Sequence, residues 1–312
     1  MKWISAQPAT IYYAWQVEVY INNFLENGIL PEDIHVLFLL DGDLPLEIRV
    51  LQQKYANVRF FYYYDTRDDK SYIPSIYFNA VKQHYQYHRE LENETIMFHD
   101  SDTILNKPFT SWHLLTDKVW HFSDTKSYIN YDYIMQKGTD VYQRMLDIVG
   151  IDGTIPKICN SQSGGAQHII KNATFSFWNK VEKDSIALYN MFCETEPLYI
   201  KKHEGDYPIQ KWTAGMWSLL WNSWYFGNEV KIASELDFAW ATDKKEWLNN
   251  KQFIHNAGVT PDRTELFFKG NYTNRLPYND KLNVAEQYCS YEYYKWIEKV
   301  GKISAITNLS NF

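Results

Sequence analysis

The stretch Glu94-Thr95-Ile96-Met97-Phe98-His99-Asp100-Ser101-Asp102-Thr103-Ile104-Leu105 decides how this chain is read. Thr95 to His99 is apolar enough for a buried strand, two carboxylates follow it, and the chain then turns apolar again. A strand that ends this way aims hard oxygen ligands out of its C-terminal edge, where open α/β sheets bind their ligands. Paired carboxylates there suit Mg2+ or Mn2+, which take few protein ligands and fill the rest from water and phosphate. The matching cargo is a diphosphate, as in a nucleotide-sugar. So short a motif recurs by chance, and it does here: Asp41-Gly42-Asp43 follows the apolar run Ile34 to Leu40. Gly42 marks that copy as a turn after an early strand, so the metal role goes to Asp100 and Asp102.

Upstream of this stretch the chain alternates strand and helix. Trp3 to Ala6 reads as a strand, and Val17, Tyr20, Ile21, Phe24 and Leu25 follow helical spacing up to a stop at Gly28. Ile34 to Leu40 and Val58 to Tyr64 read as strands, with a helix over 46–55 between them and another over 75–91 behind Pro74. Repeated βα units with buried strands imply a doubly wound, mostly parallel sheet of Rossmann-like type. Right-handed crossovers then bring the strand ends, Asp100 included, to one edge. On this strand His99 faces away from Asp100 and reads as structural. Downstream the pattern loosens. Val119 to Phe122 fits a strand and 141–149 a helix, while 154–168 reads as a loop around Gly164-Gly165. Helices are expected over 177–192 and 209–224, and Phe253 to Gly258 reads as strand into turn.

Composition narrows the function classes. A chain of 312 residues with 45% hydrophobic content can bury a large core. Aromatics reach 17%, with 12 Trp and 25 Tyr, which suits ring stacking on sugars and equally suits a core built of large side chains. A formal net charge of −7 disfavours a protein that coats a phosphate backbone. Three cysteines without C-x-x-C spacing argue against a disulfide scaffold and against a zinc site. Met1 to Pro8 lacks the apolar core of a signal peptide, and no run approaches the roughly 20 apolar residues of a membrane span. The expectation is a cytoplasmic protein, with the sequons at Asn93, Asn172, Asn271 and Asn308 coincidental.

The order of parts resembles the GT-A glycosyltransferases over residues 1–275. Ala6-Gln7-Pro8 follows the first strand, Asp100-Ser101-Asp102 lies near residue 100, Ser163-Gly164-Gly165-Ala166-Gln167 sits mid-chain, and His255 precedes Lys269-Gly270. The resemblance implies one α/β catalytic domain over 1–275. Residues 1–105 would form its nucleotide-binding half, and 106–275 an intimately packed sugar and acceptor half. Residues 276–312 would be an amphipathic, Tyr-rich tail packing on the body. It also implies Mn2+ or Mg2+ held by Asp100, Asp102 and His255, with Lys269 on the phosphates. Donor contacts fall on Ala6, Gln7, Pro8, Asp65, Ser75, Ser101, Gly164, Gly165, Gln167, Lys269 and Gly270. The donor is expected to be a nucleoside-diphosphate sugar, a uridine one first. His255 on its own reads as readily as a satisfied core histidine, and Ser75 as readily as a helix-start residue.

The base is the weak point of the pattern. Inverting transfer needs a carboxylate to deprotonate the acceptor hydroxyl. Related enzymes carry an acid in a late aromatic helix, and here Trp212-Thr213-Ala214-Gly215-Met216-Trp217 has Gly215 at that place. Asp206 and Asp237 are the replacement catalytic candidates, with Glu204 beside them. A retaining enzyme would not need this base. The aromatic helix and the Gly164 loop are expected to wall an acceptor groove. A glycan acceptor is favoured over DNA, although a second, fainter resemblance to viral and base-J-type DNA glucosyltransferases keeps hydroxymethylated bases in view. Lys201-Lys202-His203 and Lys244-Lys245 are the basic strips that reading would need, and such strips are more often solvated faces. A nucleotide-sugar-binding module without catalysis is the rival from another class. A nucleotidyltransferase would carry an early Gly-rich phosphate loop, which Ser5-Ala6-Gln7-Pro8 lacks.

Overall fold

The computed structural model describes residues 1–203 and 205–304. Its elements run β1 (Lys2–Pro8), α1 (Ile11–Glu26), β2 (Ile34–Leu40), α2 (Leu46–Lys54), β3 (Arg59–Tyr64), α3 (Ser75–Tyr87), β4 (Thr95–Phe98) and β5 (Thr103–Leu105). They continue with β6 (Trp120–Asp124), α4 (Tyr131–Lys137), α5 (Thr139–Val149), α6 (Thr154–Ile158), β7 (Gly164–Lys171), α7 (Phe175–Lys202) and α8 (Ala214–Tyr225). The last are β8 (Val230–Ile232), β9 (Phe238–Trp240), β10 (Phe253–His255) and α9 (Cys289–Gly301). Among the described residues, seven strands form one sheet in the order β3-β2-β1-β4-β7-β6-β8, and β5-β10-β9 form a second. β1, β2 and β3 pair in parallel, and so do β6 and β8, while β6 and β7 are antiparallel. This is a mixed α/β fold on a mostly parallel, doubly wound sheet.

The strands form where the sequence offers uninterrupted apolar runs. Every residue of β2 is buried, as a parallel strand covered on both faces requires. α1 buries Val17, Tyr20, Ile21 and Phe24 along one face, and Gly28 follows it at φ +85°, a left-handed position that glycine takes at little cost. The chain forms two compact units. One comprises Met1–Tyr64, Met97–His113 and the described residues from Ser234 on; the other comprises Asp65–Ile96 and Leu114–Ala233. In the first unit the C-terminal segment docks on α1. Buried Glu18 accepts hydrogen bonds from Tyr278 at 2.9 Å and Ser304 at 2.6 Å.

Several expected boundaries differ. The 154–168 segment is not a loop. It holds α6, and Gly164-Gly165 opens β7. A Cβ on Gly164 would lie 2.6 Å from Ile232 Cδ1 and from the Ser123 carbonyl oxygen, and one on Gly165 would lie 2.7 Å from Met216 Cε. Neighbouring elements fill the space these glycines leave. The 75–91 helix stops at Tyr87, where 89–93 tightens into a 3-10 turn. The 177–192 helix extends over 175–202 with Pro197 inside it, and the 209–224 helix begins at Ala214 after a turn at 211–213.

Candidate metal and donor site

The first unit assembles a compact acidic centre. β4 delivers Asp100 at its C-terminal end, and a turn closed by Thr103 N–H donating to the Asp100 carbonyl at 3.1 Å leads into β5. β10 runs antiparallel to β5 with His255 opposite Thr103. The Asn256 N–H donates to the Asp102 carbonyl at 3.0 Å, extending that pairing. Strand pairing therefore brings together residues some 150 positions apart. His255 Nε2 lies 3.3 Å from Asp100 Oδ2 and 3.2 Å from Asp102 Oδ1. One ligand atom from each of the three residues falls within 4.8 Å of the others. Lys269, in a 3-10 turn over 269–272, pairs its ammonium with Asp102 Oδ2.

Charge and burial divide the labour between the carboxylates. Asp100 keeps 53% of its side chain open to solvent, whereas Asp102 keeps 5%. Burial disfavours the Asp102 anion, but Lys269 and His255 outweigh it and hold its pKa below the ordinary range. Burial likewise opposes the charges of His255 and Lys269, and the Asp102 carboxylate overcomes it, raising both pKa values. His255 stacks on Trp240 at 5.7 Å and 15°, which fixes its ring plane. Ser101, between the two acids, donates to Gln16 Oε1 at 3.3 Å and ties the turn to α1. The oxygen-rich set with one imidazole fits Mn2+ or Mg2+. His99 faces the core instead, against Tyr20 and Phe24.

The remaining predicted positions have mixed fates. Gln7 is buried, donates Nε2 to the Leu37 carbonyl at 3.0 Å and has no partner for Oε1 among the described residues; Ala6 and Pro8 flank it, half-buried. In the second unit, Asp65 is gripped by Arg67 through two contacts of 2.9 Å. Those hydrogen bonds pull its pKa down to about 2. Ser75 accepts from Arg67 at 2.8 Å and donates to the Tyr72 carbonyl at 2.7 Å, so its hydroxyl is already engaged inside the fold. Gln167 is buried in β7, its N–H donating to Ser123 Oγ at 3.3 Å. A Cβ on Gly270 would strike the Phe268 ring.

Asp237, in the same unit, does not join the centre. Asp237 precedes β9 and pairs with Lys251 at 2.9 Å. Trp240, not Asp237, is registered opposite His255, and three residues of strand amount to about 10 Å. Asp206 is exposed beyond α7, and Glu204 lies outside the described residues. At Gly215 the absence of an acid has a packing cause. A Cβ there would lie 2.7 Å from the Phe78 ring and 3.1 Å from the Tyr72 hydroxyl, which also accepts the Gly215 N–H at 3.0 Å. The expected aromatic groove wall is core: Trp217, Trp221 and Trp224 are buried, because α8 packs on α7 through Ser218 and Asn222. Trp212 alone of these tryptophans is exposed. Of the basic strips, Lys245 pairs with Glu292 at 2.7 Å and Lys244 lies over the Tyr288 ring, while Lys201 and Lys202 are exposed. Sequence reasoning gave no role to Asn256, which is buried and extends the β5–β10 pairing through its N–H.

No protein-family model and no curated protein matches the chain. Among solved structures, it is similar to the bifunctional glycosyltransferase WbbM in its apo form, at 11% identity over 95% of this chain and 51% of that one, with a TM-score of 0.45. It thus spans about half the length of WbbM. It is also similar to the galactosyltransferase LgtC in complex with donor and acceptor sugar analogues, at 12% identity over 96% of each chain and a TM-score of 0.45. A third is a glycosyltransferase involved in glycosylation of the major capsid of PBCV-1, at 11% identity over 83% of this chain and 93% of that one, with a TM-score of 0.39. Among the described residues no helix is long and apolar enough to cross a membrane.

Proposed function

We propose that this protein is a glycosyltransferase that moves a sugar from a uridine-diphosphate sugar to an acceptor hydroxyl of a glycan, using a divalent ion held by Asp100, Asp102 and His255. The observation that carries the reading is the convergence of those three side chains, with Lys269 on the buried carboxylate. When bound, Mn2+ or Mg2+ neutralises charge on the leaving diphosphate as a Lewis acid. Asp102, buried and held ionised, offers a fixed oxygen ligand, and Asp100 offers one from the open side. Trp240 holds the His255 ring so that Nε2 addresses both carboxylates. Lys269 contributes a preorganised cation where the departing diphosphate gains charge. The engaged states of Lys244 and Lys245 favour a glycan over a phosphate backbone as acceptor.

Screening uridine-diphosphate sugars for Mn2+-dependent release of UDP tests the assignment, with release abolished by EDTA as the expected result. Donor binding without hydrolysis or transfer across donor and acceptor panels would instead mean a binding module. The packed Gly215 site and the remote Asp237 favour retention of anomeric configuration, a course that needs no separate carboxylate base. Proton NMR of the first-formed product reads that configuration directly.

A further inference from the structure

We propose that Asn256 recognises hydroxyl groups of the transferred sugar, and so helps to decide which sugar is accepted. This inference rests on reading the centre as a nucleotide-sugar site. Asn256 directly follows His255 at the end of β10, and its backbone N–H is bonded to the Asp102 carbonyl, so it sits beside the turn that carries Asp100 and Asp102. Its side chain is 1% exposed, and neither Oδ1 nor Nδ2 has a hydrogen-bond partner among the described residues. Another buried asparagine of the same unit is treated differently. Asn23 donates to the Leu105 carbonyl at 2.9 Å and accepts from the Leu105 N–H at 2.7 Å. One amide is built into the fold; the other is buried at a cost with both of its functions open.

The open pair limits what Asn256 can recognise. A cation would use Oδ1 alone, and phosphate oxygens would use Nδ2 alone. A sugar hydroxyl both donates and accepts, so neighbouring hydroxyls satisfy both ends of the amide. A pyrimidine edge could as well, but ribose separates the base from the diphosphate, whereas the transferred sugar is bonded to the diphosphate itself. Asn256 is one residue from His255, which favours the sugar.

The test compares the parent protein with Asn256→Ala and Asn256→Leu. Calorimetry measures UDP binding in Mn2+, and kcat/KM is measured for UDP-glucose, UDP-galactose and UDP-N-acetylglucosamine. The expected result is UDP affinity within twofold of the parent and a loss of at least tenfold in discrimination among the three sugars. Asn256→Leu, which replaces an unpartnered amide by an apolar group of similar volume, should melt at or above the parent temperature. Unchanged discrimination would overturn the proposal, as would an equal loss of UDP and UDP-sugar affinity or a lower melting temperature for the leucine variant. A parent that binds neither UDP nor any of the sugar nucleotides in Mn2+ would overturn the reading of the centre itself, a different result from a parent that binds while its variants keep their preference.

Discussion

The first unit contains two Asp-x-Asp turns, and they differ in everything but the motif. Asp41-Gly42-Asp43 follows β2, is exposed throughout, and passes through Gly42 at φ +97°. Asp100-Ser101-Asp102 follows β4, buries one carboxylate, and meets His255 and Lys269. The second turn becomes a centre because β10 pairs with β5 and brings an imidazole across, while the 269–272 turn brings an ammonium. A carboxylate pair at a strand end is common; distant segments that deliver an imidazole and an ammonium to it are what single one out.

The comparison is broken most directly by exchanging the turns' fates. Asp102→Asn should lower turnover by about 10^3-fold or more, in the range seen when a preorganised electrostatic group is lost, while Asp43→Ala should stay within twofold in the same donor-hydrolysis assay. Lys269→Met tests the ammonium that the other turn lacks. It should cost about 10^2-fold in kcat and, by removing the cation that now neutralises Asp102, tighten Mn2+ binding in a calorimetric titration without nucleotide. Trp240→Leu removes the platform under His255. Support of this kind is worth about 10- to 100-fold in metal affinity, and the fold should survive by circular dichroism.

A third acidic turn sharpens the point with the smallest effect. Asp65 in the second unit is served by Arg67, two residues away, rather than by distant strands. Its depressed pKa, about 2 through the Arg67 hydrogen bonds, means that it stabilises the fold above the ordinary carboxylate range. That contribution is lost as pH falls from about 4 towards 2. Asp65→Asn should therefore cost about 1 to 2 kcal/mol at pH 7 and progressively less on acidification across that window, measured by urea unfolding.

How far the sequence could be read follows from the same contrast. β1 to β4 and the helices between them were legible because buried parallel strands are continuous apolar runs and the helices bury periodic faces. β7 was not, because its two glycines mimic a loop while serving close approach to Ile232, Ser123 and Met216. β5 and β9 span three residues each, so periodicity cannot detect them; β10 is as short, but its apolar Phe253-Ile254 running into the turn at Gly258 made it readable. The acids of the centre were visible in the strand-end motif. His255 needed the resemblance as well as its turn, and nothing local to Lys269 announced its contact with Asp102. Asn256 escaped because a lone amide has no pattern; only its burial without partners marks it. The tryptophans of α8 misled for the opposite reason, since aromatic content signals a core as readily as a sugar platform.

The central claim is that Asp100, Asp102 and His255 hold a divalent ion against a donor diphosphate. Calorimetric titration of UDP into the protein, with and without Mn2+, tests it most directly. The account predicts binding in Mn2+ that disappears in EDTA and in Asp102→Asn. UDP binding of equal strength in the absence of metal would contradict it.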